Sequence, residues 1–174
     1  MDDTQKLKFE NTSNSDVFVT VTTSGIPVLG KVLEEQKNLK LTITYKNMDG
    51  SALDITNLKH GVDFYAEIRV VNSGKYGSTE NLALSQIFPS GWEIINTRMF
   101  DMGAELKSDD ADYIDYRDDR VNFFFGLKRG ANKKFIVLLN AAYRGKYFLP
   151  ATKCSDMYND NVKAVVGGGW VVVE

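Results

Sequence analysis

The sequence predicts an all-β fold, an antiparallel β-sandwich. Three observations carry this. Short alternating or apolar runs recur at spacings of about 8–12 residues, separated by turn signals. No long window places apolar residues at i, i+3, i+4 and i+7, so the crossover helices of a parallel sheet are missing. Val, Ile, Phe, Tyr and Thr are frequent, and these residues suit a pleated, half-buried surface.

The elements follow in chain order. Leu7-Lys8-Phe9-Glu10 alternates, and Asn11 to Ser15 turns. Val17 to Thr22 reads as a strand that Ser24-Gly25-Ile26-Pro27 breaks. Val28 to Lys37 is ambiguous, with Leu29 to Leu33 at an edge. Leu39 to Tyr45 alternates cleanly. Asn47-Met48-Asp49-Gly50 is a hairpin-type turn, since Asp-Gly tolerates positive φ. Leu53 to Leu58 reads as a short strand.

Phe64 to Val71 is the longest alternating strand and puts Phe64, Ala66, Ile68 and Val70 on one face. Leu82 to Phe88 ends at Pro89-Ser90-Gly91, and Trp92 to Asn96 resumes the strand. Phe100 to Asp112 reads as a mobile polar loop. Tyr113 to Tyr116 and Val121 to Phe125 are strands joined by a tight turn of Arg117, Asp118, Asp119 and Arg120. Lys133 to Ala142 is a further strand. Val165-Val166, three glycines and Trp170 to Val173 close the chain. The main sandwich is expected over 39–174. Residues 1–38 supply N-terminal strands that belong beside it, as part of an adjoining β unit.

With 174 residues, one domain with a full core is expected. Apolar residues make up 43% and charged residues 25%, which excludes disorder throughout. The net charge of −2 gives no basic footprint for nucleic acid. One Cys and one His exclude a disulfide framework and a Cys/His metal cluster within the chain. Met1 to Lys6 has neither a basic n-region nor an apolar h-region, so no signal peptide is expected here. A domain cut from a larger protein would begin in the same way.

No catalytic constellation stands out. His60 is alone, no G-x-S-x-G elbow occurs, and Cys154 has no base beside it in sequence. Asp109, Asp110, Asp112, Asp115, Asp118 and Asp119 are dense enough to raise a calcium loop. They lack the EF-hand spacing, and Arg117 and Arg120 sit among them, so a solvated, ion-paired hairpin is the expectation. Asn11-Thr12-Ser13 fits the short N-glycosylation pattern. Gly167-Gly168-Gly169 precedes a strand rather than a helix and so is not a phosphate loop. No metal and no cofactor are expected.

The most informative stretch runs from Ala142 to Asn159, A-Y-R-G-K-Y-F-L-P-A-T-K-C-S-D-M-Y-N. It turns through Arg144-Gly145 and re-extends to Leu149. Pro150 then stops the ladder, because proline has no N–H to donate. A polar loop is expected to follow, holding Cys154 and closing on Met157 and Tyr158. Two readings of that pair stand: both side chains fold back on the core, or both face a partner.

Three segments in order carry a family resemblance. They are Leu84-Ser85-Gln86-Ile87-Phe88-Pro89-Ser90-Gly91-Trp92-Glu93-Ile94; Asp115-Tyr116-Arg117-Asp118-Asp119-Arg120-Val121-Asn122-Phe123-Phe124; and Tyr143 to Ala151 followed by Asp156-Met157-Tyr158-Asn159. Together, over about residues 39 to 174, they resemble the C-terminal macroglobulin-like domain of bacterial alpha-2-macroglobulins, an immunoglobulin-like sandwich. The resemblance implies a non-catalytic part of a large, multi-domain protease inhibitor of the cell envelope, periplasmic or anchored as a lipoprotein. In that family, bait cleavage triggers a rearrangement, and many members bind the protease through a thioester in a separate helical domain. A loop of the last domain shields that thioester from water. By position this loop is Pro150 to Asn161, with Met157 and Tyr158 as its apolar cover. The implied partners are the other domains of the same polypeptide and the target proteases. Gln86 departs from the Asp usual at that position, with an expected effect on a turn contact only. Arg117, Asp118, Asp119 and Arg120 are assigned to hairpin structure.

The rival reading is a carbohydrate-binding or adhesin-type module. It requires two or more aromatic rings coplanar on one exposed sheet face. A deep pocket holding two of the acids between Asp109 and Asp119 with raised pKa would instead signal an enzyme.

Overall fold

The computed structural model describes residues 7–22, 34–95 and 106–174. Thirteen strands are assigned among them, and no α-helix. The strands are β1 (Glu35–Lys37), β2 (Leu39–Asn47), β3 (Asn57–Leu58), β4 (Asp63–Asn72), β5 (Thr79–Ile87), β6 (Glu93–Ile95) and β7 (Tyr113–Tyr116). They continue with β8 (Arg120–Leu127), β9 (Asn132–Asn140), β10 (Gly145–Leu149), β11 (Thr152–Asp156), β12 (Lys163–Val166) and β13 (Gly169–Val173).

A six-stranded sheet, β1-β12-β11-β5-β8-β7, packs on a four-stranded sheet, β2-β4-β9-β6, through one apolar core. A third sheet, β10-β13-β3, completes the fold. Every strand pair is antiparallel except β13 with β3, which run parallel.

Alternation along β4 buries Phe64, Ala66, Ile68 and Val70 completely. Alternation along β8 sends Phe123 and Phe125 inward to meet Phe135 of β9. The ring centroids lie 4.4 and 4.8 Å apart, so aromatic contacts tie the two larger sheets together. On the other face of the four-stranded sheet, Tyr65, Ile136 and Leu138 form a smaller cluster with Ile95 and Leu106.

Several expectations need correction. Val17 to Thr22 forms no strand: it joins no ladder, and Phe18 is 96% exposed. Leu7 to Glu10 is likewise outside any strand. Only Asn57 and Leu58 of the expected Leu53–Leu58 strand pair, and they pair with β13. The edge strand expected at Leu29 to Leu33 lies outside the described residues, as does the first half of the Phe100–Asp112 loop. The second half of that loop is tied to β9: Ser108 Oγ accepts from Ile136 N at 2.8 Å and Asp109 N donates to Lys134 O at 2.8 Å.

The largest correction concerns the polar stretch after Pro150. Thr152–Asp156 is not a loop. It is β11, inserted between β5 and β12 in the middle of the six-stranded sheet. Its inward residues are Thr152 and Cys154, both buried. Thr152 Oγ1 donates a hydrogen bond to Oε1 of Gln86, a wholly buried side chain on β5. The effect of Gln86 is therefore in the core, where it links two central strands, and not at the proline turn.

The residues between β12 and β13 change sheets. Gly168 allows this, because a Cβ there would lie 1.7 Å from Leu149 O. β1, although it precedes residue 39, pairs with β12 and so belongs to the large sheet.

Candidate functional site

After β11 the chain turns at 157–162 and returns as β12. This turn carries Met157 and Tyr158, and their side chains are 51% and 82% exposed. Tyr158 stands out from the core, and Met157 is half-exposed.

The turn is built to hold them there. Asp156 Oδ1 accepts from Tyr158 N at 2.9 Å and from Asn159 N at 3.1 Å, an Asx-type arrangement that fixes the backbone locally. Asn159 Oδ1 accepts from Asn161 N at 3.0 Å, and Val162 N donates to Asn159 O at 3.0 Å. Asp156 N closes the turn on Val162 O at 2.9 Å, and Val162 is buried.

Two contacts from other strands lock the ends. Met157 N donates to Asn81 O at 2.9 Å, in the irregular part of β5 where the register with β8 shifts. Asn38 Nδ2 donates to Asn161 O at 2.7 Å. Asn38 itself adopts φ 60°, a left-handed conformation that Asn tolerates better than most residues. The backbone is thus pinned from three directions, while two large side chains with apolar surface face outward. Sequence reasoning singled out Met157 and Tyr158 but missed Asp156, Asn159, Asn81 and Asn38. The run D-M-Y-N-D-N held a signal for the first two, because Asp and Asn are frequent where a side chain caps its own turn.

Arg117, Asp118, Asp119 and Arg120 lie at the hairpin between β7 and β8. Arg117 N donates to Arg120 O at 2.9 Å, and Tyr116 pairs with Val121. Asp115 accepts from Arg117 Nε at 2.8 Å and from Asn122 at 3.2 Å, and these two bonds hold its carboxyl below the usual carboxylate range. Asp119 forms a two-bond fork with Arg120, which likewise lowers its titration. Asp109 Oδ2 accepts from Lys134 N at 2.7 Å. These carboxylates face donors, and among the described residues no three potential metal ligands converge.

The other candidates have structural partners. His60 Nε2 lies 3.0 Å from Ala142 O. Cys154 is fully buried, and burial pushes its thiol up to about 12. Trp92 sits in the core against Tyr45, Phe64 and Phe88. Half-exposed Trp170 meets Phe148 edge-on at 74°, under Lys146 Nζ, which is not the coplanar platform a sugar ring needs. Asn11 spends its side chain on its own turn, accepting from Ser13 N and donating to Ser15 O.

Sheet order and core define an all-β sandwich of antiparallel sheets with one outward-facing turn. Residues 39–161 match the family model described as the bacterial alpha-2-macroglobulin MG10 domain, and the chain belongs to that family. Across 96% of its length it is 23% identical to an alpha-2-macroglobulin homolog of Yersinia pestis, of which it spans only 9%.

Among solved structures, it is similar to native Escherichia coli alpha-2-macroglobulin from domain MG7 to the C-terminus. The TM-score is 0.73 at 18% identity, covering 83% of this chain and 25% of that one. It is also similar to Salmonella alpha-2-macroglobulin reacted with methylamine, with a TM-score of 0.72 at 20% identity over 82% of this chain and 10% of that one. These likenesses show the fold.

Proposed function

We propose that this chain is the non-catalytic C-terminal domain of a bacterial alpha-2-macroglobulin-like protease inhibitor, and that its Met157–Tyr158 turn covers a thioester in a neighbouring domain. One observation carries the reading: a turn fixed by Asp156, Asn81 and Asn38 holds two large side chains in solvent. The fixed backbone leaves apolar surface of both side chains open to solvent, and covering that surface is favourable. A reactive acyl bond is a fitting object for that cover. Its lifetime depends on excluding water, and an aromatic ring with a flexible thioether fills an irregular gap well.

In this reading the domain supplies no chemistry. Its partners are the thioester-bearing domain of the same polypeptide and, through the whole protein, the proteases it traps. The working place is the periplasm or the outer-membrane-anchored cell envelope, where the inhibitor defends against attacking proteases.

Capture is the test. Full-length protein mixed with trypsin is expected to yield a covalent adduct on a denaturing gel. No adduct, together with undiminished digestion of a protein substrate by that trypsin, overturns the reading.

A further inference from the structure

We infer that the cavity between β2 and the β12–β13 crossover binds a small, neutral, mostly apolar molecule that carries one hydrogen-bond acceptor. Its volume is about 240 Å³. Ile43, Ile55, Leu149 and Val166 line it, and half-exposed Trp170 forms part of its wall. Among the described residues no charged side chain lines it, so an ion would lose its hydration there without compensation.

The room comes from glycine. The crossover at 167–169 consists of three glycines, all on the cavity wall. Strand alternation puts Gly169 on the same face as buried Val171. Yet a Cβ at Gly169 would meet nothing within 4 Å, so space is left where an inward side chain would stand. A dry aliphatic cavity of about 150 Å³ already takes a benzene ring, so one substituted ring fits here.

Tyr45 supplies the polar handle. It follows Leu39, Leu41 and Ile43 on the inward face of β2 and lines the cavity. Its ring is set against Phe64 and Trp92, at centroid distances of 6.4 and 5.8 Å. Among the described residues its hydroxyl has no hydrogen-bond partner. The other two hydroxyls on the wall are already used: Thr56 Oγ1 donates to Asp54 Oδ1 at 2.7 Å, and Thr152 Oγ1 donates to Gln86. Burial pushes the titration of Tyr45 up, so the phenol stays protonated and able to donate. A free donor beside an apolar cavity selects an acceptor such as a carbonyl oxygen. This inference does not depend on the thioester or on protease capture.

Methyl NMR of the 174-residue chain tests it with two molecules. Acetophenone is one ring with one carbonyl, and toluene is a ring without an acceptor. Acetophenone is expected to shift the Ile43 and Ile55 methyls saturably, with a Kd of about 1 mM or tighter. Tyr45→Phe keeps the ring and removes the donor. It is expected to weaken acetophenone about fivefold or more and to leave toluene unchanged, which also shows that the cavity is intact in the variant. Gly169→Val fills the space and is expected to abolish the binding of both. No saturable shift with acetophenone in the wild-type chain overturns the inference. So do shifts that survive Gly169→Val, which place the molecule elsewhere. Equal effects of Tyr45→Phe on the two molecules overturn the assigned hydrogen bond.

Discussion

Asp156 holds Tyr158 away from its own domain. The carboxylate accepts the Tyr158 and Asn159 amides at 2.9 and 3.1 Å, and the phenol ring is left outside. A carboxylate with one job in the backbone thus sets the direction of a side chain two residues on. Asp156→Ala removes both bonds. The expected loss is about 1–2 kcal/mol of domain stability and, on the proposed function, weaker cover of the thioester. Chemical denaturation of the domain measures the first effect. Asp156→Asn, which keeps an acceptor, is expected to lose less.

Thr152 and Gln86 form a buried polar pair between two central strands. Thr152→Val leaves the Gln86 oxygen without its donor in the core, at an expected cost of about 1–3 kcal/mol. Adding Gln86→Leu to that variant removes the orphaned group and is expected to recover part of the loss. Denaturation midpoints of the two single variants and the double variant form the cycle that isolates the pair.

Gly168 lies where a Cβ would meet Leu149 O at 1.7 Å and the Leu149 and Pro150 carbonyl carbons at 2.7 and 2.8 Å. All three are backbone atoms, so no side chain can swing aside. Gly168→Ala is expected to destabilise by about 3 kcal/mol or more. Gly169, whose Cβ would meet nothing within 4 Å, is the control, and Gly169→Ala is expected to be far milder. Thermal melts of the two variants compare them.

Cys154 titrates near 12 rather than at the ordinary 9.0 because burial disfavours its thiolate. The thiol is therefore expected to resist Ellman's reagent in the folded protein at pH 8 and to react on unfolding. The linkage sign follows from the proton count. Between about pH 9 and 12 the unfolded chain gives up this proton and the folded chain keeps it, so stability falls as pH rises through that window. Cys154→Ala is expected to flatten this alkaline slope, read from urea midpoints taken across the window.

Much of the fold was legible where one side of a strand faces the core. β4 and β8 alternate because their inner residues are buried in the core between the sheets, where Phe123 and Phe125 of β8 meet Phe135 of β9. β11 was hidden because T-K-C-S-D carries only one apolar residue. Its inward positions are filled by a hydrogen-bonding Thr and a buried thiol, so the hydrophobic period that marks a strand is absent. Val17 to Thr22 failed in the opposite way: its propensity is strong, but a strand needs a ladder partner, and it pairs with none among the described residues. At the candidate site, the exposed pair was visible in the run D-M-Y. The clamps at Asn81 and Asn38 were not, since they come from positions far apart in sequence.

The most direct measurement is the rate at which methylamine releases a free thiol from the full-length protein, for wild type and Tyr158→Ala. If the Met157–Tyr158 turn covers a thioester, wild type reacts slowly and the variant is expected to react about tenfold faster or more, a difference of about 1.4 kcal/mol in barrier. Equal rates, or no thiol released from either protein, would contradict the cover.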